Sequence, residues 1–138
     1  HQEEIDLCWR LQAKGGKIRY VGASQVYHVG GATLSASNPQ KTFYNFRNSL
    51  FNLLKNAGGG QAFSAIFVRM LLDAVAAFQF LFQGKPKHFL AVIKAHFSFY
   101  FLVTKFLKKR RRNASKMKYF KIKSIVFQHF IMKKEPFQ

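Results

Sequence analysis

Residues 3–10, with the sequence EEIDLCWR, are the stretch on which the fold of the N-terminal part depends. They hold three of the five acidic residues of the chain, Glu3, Glu4 and Asp6, although the chain carries 23 Lys and Arg and a net charge of +18. Neighbouring carboxylates repel one another and need compensation from a helix N-terminus, a metal ion or a cationic substrate. We therefore expect the acids to form one half of an active site as well as a helix start.

A short helix is predicted over residues 3–14. Apolar residues recur there at helical spacing, namely Ile5, Cys8, Trp9 and Ala13. Gly15 and Gly16 then provide a C-cap signal. The helix dipole stabilises an acid in the first turn by about 0.3–1 kcal/mol. That makes the acids tolerable but does not explain why there are three of them.

A short strand is predicted over residues 17–21, where KIRYV alternates with period two. A turn at 22–24 and an extended segment at 25–29, which contains His28, follow. A helix of nine residues advances roughly 13 Å, and a strand of about five residues at about 3.3 Å each returns the chain to the same level. Glu4 and His28 are thus expected to face one pocket.

The chain then continues through a small polar loop at 30–39, of the kind that closes over ligands, into a predicted helix at 42–55. The Gly-rich residues 56–61 mark the main boundary. A 21-residue apolar run, 62–82, follows and contains Arg69 and Asp73, which lie four residues apart and are expected to form a helix-stabilising pair. Two central charges cost about 2.5–3.5 kcal/mol each on insertion scales. We therefore expect this helix to lie in the membrane interface or to pack against the domain formed by the residues before the boundary.

The C-terminal part combines apolar and cationic residues. Residues 87–109 form a predicted amphipathic helix with lysines on one face and mainly phenylalanines on another. Residues 108–112 form a basic block. The whole chain is 49% hydrophobic, contains 17 Phe and has a pI near 10.5. Anionic membrane surfaces suit this mixture best, because apolar burial and attraction to acidic lipid add together. Its single Cys8 excludes an internal disulfide.

A family resemblance rests on residues 3–11 together with 17–21 and 26–31, the last with the sequence VYHVGG. These segments resemble family 2 glycosyltransferases of the GT-A fold, above all the bacterial rhamnosyltransferase-like branch that acts on cell-surface polysaccharide. The fold class implied is an α/β fragment: the C-terminal portion of a Rossmann-like GT-A domain, followed by a mostly α-helical, amphipathic, membrane-associated segment. The nucleotide-binding half and its Asp-x-Asp motif are not among these residues. We therefore expect the chain to be part of a longer protein and inactive alone.

Three units follow from this interpretation. Residues 1–57 would be the acceptor-side part of the catalytic domain, 62–112 amphipathic membrane-associated helices, and 113–138 a basic C-terminal tail.

The resemblance also implies roles for individual residues. Glu4 matches the general base that takes the proton of the acceptor hydroxyl, with Glu3 and Asp6 in support. His28 matches the histidine that completes a site for a divalent metal, Mg or Mn. Arg47 matches an arginine near the donor phosphates. Such a reaction uses one positioned carboxylate, worth typically about 10²–10⁴-fold, and a Lewis acid at the leaving diphosphate, and a single displacement inverts the anomeric configuration.

The predicted function is therefore an inverting, metal-dependent glycosyltransferase that transfers a sugar from a nucleotide-sugar donor to a glycan or lipid-linked acceptor. Its expected location is the cytoplasmic face of a bacterial cytoplasmic membrane. The alternative is a non-enzymatic cationic membrane-binding module. A nucleic-acid-binding protein is disfavoured because the aromatic residues are mostly Phe on helical stripes.

Overall fold

The computed structural model describes residues 2–25, 27 and 37–110. Four helices account for 79% of these residues, and no strand occurs among them. Their bounds are Gln2–Ala13 for α1, Pro39–Asn56 for α2, Gly59–Phe82 for α3 and Pro86–Lys109 for α4. All four helices were expected from the sequence, with bounds that differ by a few residues. The expectation of an α/β, Rossmann-like fragment is wrong for the described residues.

The predicted strand at 17–21 fails for a physical reason. Its alternating residues are exposed, and Tyr20 keeps 94% of its surface accessible. A strand needs a neighbouring strand to satisfy its backbone groups, and no described residue provides one. The second extended segment, 25–29, lies mostly outside the described residues, and the part that is described, Gln25 and Tyr27, is not in a strand.

The ends of the helices follow from local residues. Asn38 caps α2 by accepting a hydrogen bond at 2.8 Å from the amide of Gln40, and Pro39 occupies the first turn. The reversal between α3 and α4 uses Gly84 at a φ of 69°, in the left-handed region that glycine adopts without strain. This turn makes α3 and α4 an antiparallel pair.

The core lies where α2 packs along α4. Thr42 Oγ1 lies 2.8 Å from His88 Nδ1 at the N-terminal ends of the two helices. At the C-terminal ends, the Arg110 guanidinium donates to the carbonyls of Leu54 at 2.6 Å and Ala57 at 2.8 Å. The two helices therefore run parallel over the whole length of α2. The buried core residues of this cluster are Leu50, Phe51, Leu53, Leu54, Ile66 and Phe99.

This core joins residues from both sides of the predicted boundary at 56–61. Phe51 of α2 stacks on Phe106 of α4 with ring centroids 3.7 Å apart. The division into units 1–57, 62–112 and 113–138 stays a prediction, and its last unit lies wholly outside the described residues.

An ion-pair network compensates the two charges of α3, of which Asp73 is buried and Arg69 is partly exposed. The buried Asp73 carboxylate accepts from Arg69 Nε at 2.6 Å, which confirms the pair expected four residues apart on one helix. His96 Nε2 of α4 lies 3.2 Å from the second oxygen of Asp73. The acid of α3 is thus turned towards α4 and away from the outer surface.

This network predicts a non-additive mutational pattern. Arg69→Met leaves the buried Asp73 with His96 as its remaining side-chain partner among the described residues, and we expect a loss of about 3–5 kcal/mol in unfolding free energy. The double variant Arg69→Met with Asp73→Leu removes the unpaired charge and should recover most of that loss. Thermal unfolding followed by circular dichroism in detergent micelles measures both. A double variant no more stable than Arg69→Met would contradict the network's role.

Candidate functional site

The three N-terminal acids lie on α1, but the structure gives them different surroundings. Glu3 and Glu4 are exposed in the first turn of the helix. The side chain of Asp6 is only 14% exposed and points towards the C-terminal end of α2. The three acids therefore differ in exposure: Glu3 and Glu4 are accessible to a substrate, whereas Asp6 is largely covered.

Asp6 fixes α1 to α2. Its Oδ1 accepts from Lys55 Nζ at 2.8 Å and from Asn56 Nδ2 at 2.7 Å, and its Oδ2 lies 3.1 Å from Arg10 Nε. Burial alone would raise the pKa of Asp6, but the hydrogen bonds from Lys55 and Asn56 and the charges of Lys55 and Arg10 together lower it below its ordinary value of 3.8. Asp6 therefore stays ionised at neutral pH and serves as the anchor of the acidic helix.

A cleft of about 310 Å³, here called the acidic cleft, lies between α1 and α2. It brings Glu3 and Asp6 together with Asn48, the neighbour of Arg47 in sequence. Glu4 is not among its lining residues. The lining consists of Gln2, Glu3, Asp6, Arg10, Asn48, Phe51, Asn52, Lys55 and Phe106.

Arg47 lies beside this cleft and contacts aromatic rings. Its guanidinium carbon lies 4.9 Å from the ring centroid of Phe43 and 5.1 Å from that of Tyr44. Its Nε donates to the side-chain oxygen of Asn48 at 3.1 Å. Arg47 is thereby held flat on the outer surface of α2. Its role towards donor phosphates stays a prediction.

The predicted metal site is not assembled within the described residues. His28, its expected histidine ligand, lies outside them. Asp6 already has three cationic or amide partners, and in the described part of the chain no group of three His, Cys, Asp or Glu could hold a metal ion. The metal therefore stays a prediction, and the expected convergence of Glu4 and His28 is not tested.

The second functional feature is an apolar surface, defined as the exposed apolar side chains of α3 and α4. Both helices are long and apolar enough to cross a membrane. Large side chains project from them, and Phe82 and Phe101 keep 87% and 83% of their surface accessible. This surface comprises Phe63, Phe67, Val68, Leu71, Leu72, Val75, Phe78, Leu81 and Phe82 of α3 and Leu90, Phe97, Tyr100, Phe101 and Leu107 of α4. Such an area on a protein marks a membrane or partner surface.

His96 belongs to the network that keeps this surface free of charge, and sequence reasoning assigned it no role. The spacing about the α3–α4 turn could have predicted its contact with Asp73, because Asp73 lies ten residues before Gln83 and His96 eleven residues after Lys85. An antiparallel pair that turns at 83–85 places such positions opposite each other. Other cross-helix contacts follow the same register: Phe78 with Phe89, Phe80 with His88, and Met70 with Tyr100.

Comparison with protein-family models, curated proteins and solved structures found no match for this chain.

The Asp6 anchor predicts a specific pH dependence. A carboxyl group with a lowered pKa in the fold stabilises it at pH values above 3.8, and that contribution disappears as the pH falls through the folded-state pKa. Asp6→Asn should therefore lower the unfolding free energy at neutral pH, and the difference from the wild type should shrink below about pH 4. Denaturant unfolding at a series of pH values measures this difference.

The matched control is Glu3→Gln, which removes an exposed acid one turn away on the same helix. We expect it to leave the pH profile unchanged. A gap between wild type and Asp6→Asn that stays constant from neutral to strongly acidic pH would contradict the anchor.

Proposed function

We propose that this chain is the acceptor-side, membrane-binding end of an inverting, metal-dependent family 2 glycosyltransferase. Two observations support the proposal. The motif in residues 3–10 is similar to that family's acidic motif and forms a helix that Asp6 fastens to the bundle. The same bundle carries the apolar surface, so that an acid would be held at a fixed place near a membrane.

Membrane association is carried by the apolar surface together with the charge of +18. The outward side of α3 is mostly apolar, because Asp73 is buried against His96 and the partly exposed Arg69 pairs with it. Basic residues on α4 and beyond favour anionic lipid, which is enriched on the cytoplasmic leaflet. These features support the cytoplasmic face of a bacterial membrane as the location.

The path of α2 favours a bundle that lies in one leaflet over a hairpin that crosses the bilayer. Since α2 accompanies α4 from Thr42 to Leu54, a spanning α4 would carry α2 into hydrocarbon. Helix α2 has polar residues in every turn, namely Gln40, Lys41, Asn45, Arg47, Asn48, Asn52, Lys55 and Asn56. Each charge at the bilayer centre costs about 2.5–3.5 kcal/mol.

In the proposed reaction, the Glu4 carboxylate takes the proton of an acceptor hydroxyl as its oxygen forms a bond to the anomeric carbon of the donor sugar. The bond between that carbon and the nucleoside diphosphate breaks on the opposite side, so that the configuration inverts. A divalent ion, implied by the resemblance, would neutralise the leaving diphosphate. Binding to membrane would raise the local concentration of a lipid-linked acceptor.

The membrane proposal is tested by placing one carboxylate on each side of the bundle. Leu72→Glu introduces a charge into the apolar surface, and we expect it to weaken binding to anionic vesicles by about 10- to 100-fold. Gln12→Glu places the same charge on an exposed position of α1 and should change affinity by only a few fold. Vesicle co-sedimentation gives both affinities. Equal losses for the two variants would count against the apolar surface as the binding face.

The enzymatic proposal is tested in the whole protein that the gene encodes. Glu4→Gln should lower sugar transfer to a lipid-linked acceptor by at least about 10²-fold with little change in vesicle binding. Gln12→Ala, at an exposed position of the same helix with no assigned role, is the control and should retain full activity. Full activity of Glu4→Gln would remove the base assignment and leave the non-enzymatic membrane-binding module as the better account.

A further inference from the structure

A second cleft, of about 360 Å³, lies between the N-terminal turns of α2 and α4. Two lysines of α4 and apolar side chains from both helices form its walls. We call it the lysine cleft, and its lining residues are Pro39, Gln40, Phe43, Lys87, Leu90, Ala91 and Lys94. No acidic residue lines it, and it lies apart from the acidic cleft at the other end of α2.

The lysine cleft holds uncompensated positive charge. Lys87 and Lys94 lie two turns apart on the same side of α4 and form no ion pair with any residue the structure describes. The acids of the described chain are engaged elsewhere: Glu3, Glu4 and Asp6 lie on α1, and Asp73 pairs within α3 and with α4. Both lysines are exposed at the wall of the cleft, so that their ammonium groups can donate to an anion bound there.

Lysine side chains, and not the backbone amides of α2, provide this attraction. The first free amide of α2, that of Gln40, already donates to Asn38 Oδ1 at 2.8 Å. The amide of Lys41 donates to the Asn38 carbonyl at 3.0 Å. The N-terminus of α2 is therefore capped by its own chain, and the lysines remain as donors for a ligand.

Apolar residues at the cleft indicate what kind of anion fits. Leu90 lies between the two lysines along α4 and is 51% exposed, while Phe43 lines the α2 side. Exposed Phe97 and Phe101 continue from Leu90 at spacings of seven and eleven residues, which keeps them on one face of α4. A phosphate at the lysines would thus have exposed apolar side chains on the same face of α4 that hydrocarbon can cover.

We propose that the lysine cleft binds the phosphate of an anionic phospholipid whose acyl chains contact Leu90 and enter the leaflet that covers Phe97 and Phe101. A soluble anion would use the lysines but leave these apolar side chains in water, whereas a phospholipid uses both. The inference rests on the proposed membrane binding and adds a specific site to it. It gives the bundle a preferred depth and orientation, because a headgroup at this end of α4 fixes where α2 meets the interface.

The test compares two double variants that remove the same charge from the same helix. Lys87→Gln with Lys94→Gln empties the lysine cleft, whereas Lys105→Gln with Lys108→Gln removes two exposed lysines near the other end of α4. General attraction to an anionic surface is worth about fivefold per lysine and is similar for both variants. We expect the cleft variant to bind phosphatidylcholine vesicles containing phosphatidylglycerol at least about tenfold more weakly than the control variant. The two should bind pure phosphatidylcholine equally, which also verifies that both are folded.

Each of the remaining outcomes overturns one part of the proposal. Equal losses of affinity for anionic vesicles in the two double variants would rule out the lysine cleft as a specific site but would leave the membrane-binding proposal unaffected. Displacement of the wild type from vesicles by inorganic phosphate, at matched ionic strength with chloride, would identify a soluble anion as the occupant and overturn the phospholipid. Failure of the wild type to bind any vesicle would overturn the membrane proposal together with this one, and would leave the role of Glu4 untouched.

Discussion

The contact between Asp73 and its two partners determines how the bundle can meet its surroundings. An acid in the middle of a 24-residue apolar helix must be neutralised, and here Arg69 and His96 surround it at the contact between α3 and α4. Because Asp73 is buried and the partly exposed Arg69 pairs with it, the outward side of α3 consists mostly of apolar side chains. A chain with a formal charge of +18 can therefore still present a surface suited to hydrocarbon.

The remaining helices follow from that arrangement. With α3 on one side of α4, helix α2 packs along another and carries polar residues in each turn, and its last turn receives α1 through Asp6. Apolar and polar features are thus divided among different helices of one bundle. This division places the acidic residues of α1 and the apolar surface on different helices of one bundle, an arrangement that suits the proposed action on a lipid-linked acceptor.

Local features could be predicted from the sequence, and features that need a partner could not. Helical spacing and turn residues gave all four helices, and the four-residue spacing of Arg69 and Asp73 gave their ion pair. The strand at 17–21 has the right alternation but no described neighbour to pair with, so that periodicity alone misled the fold class. Asp6 was expected to support catalysis, yet its partners Lys55 and Asn56 lie some 50 residues away, where local patterns carry no information.

The depth of α3 in a bilayer tests the account most directly. Nitroxide labels on single cysteines introduced at Phe63, Phe67, Leu71, Val75 and Phe78, in a chain with Cys8 replaced, report their accessibility to oxygen and to a water-soluble nickel reagent. A bundle that lies in one leaflet predicts high oxygen accessibility at a nearly constant depth along the helix, with a label at Tyr44 of α2 accessible to nickel. A depth that rises to the bilayer centre and falls again along α3, or nickel accessibility at all five positions, would contradict it.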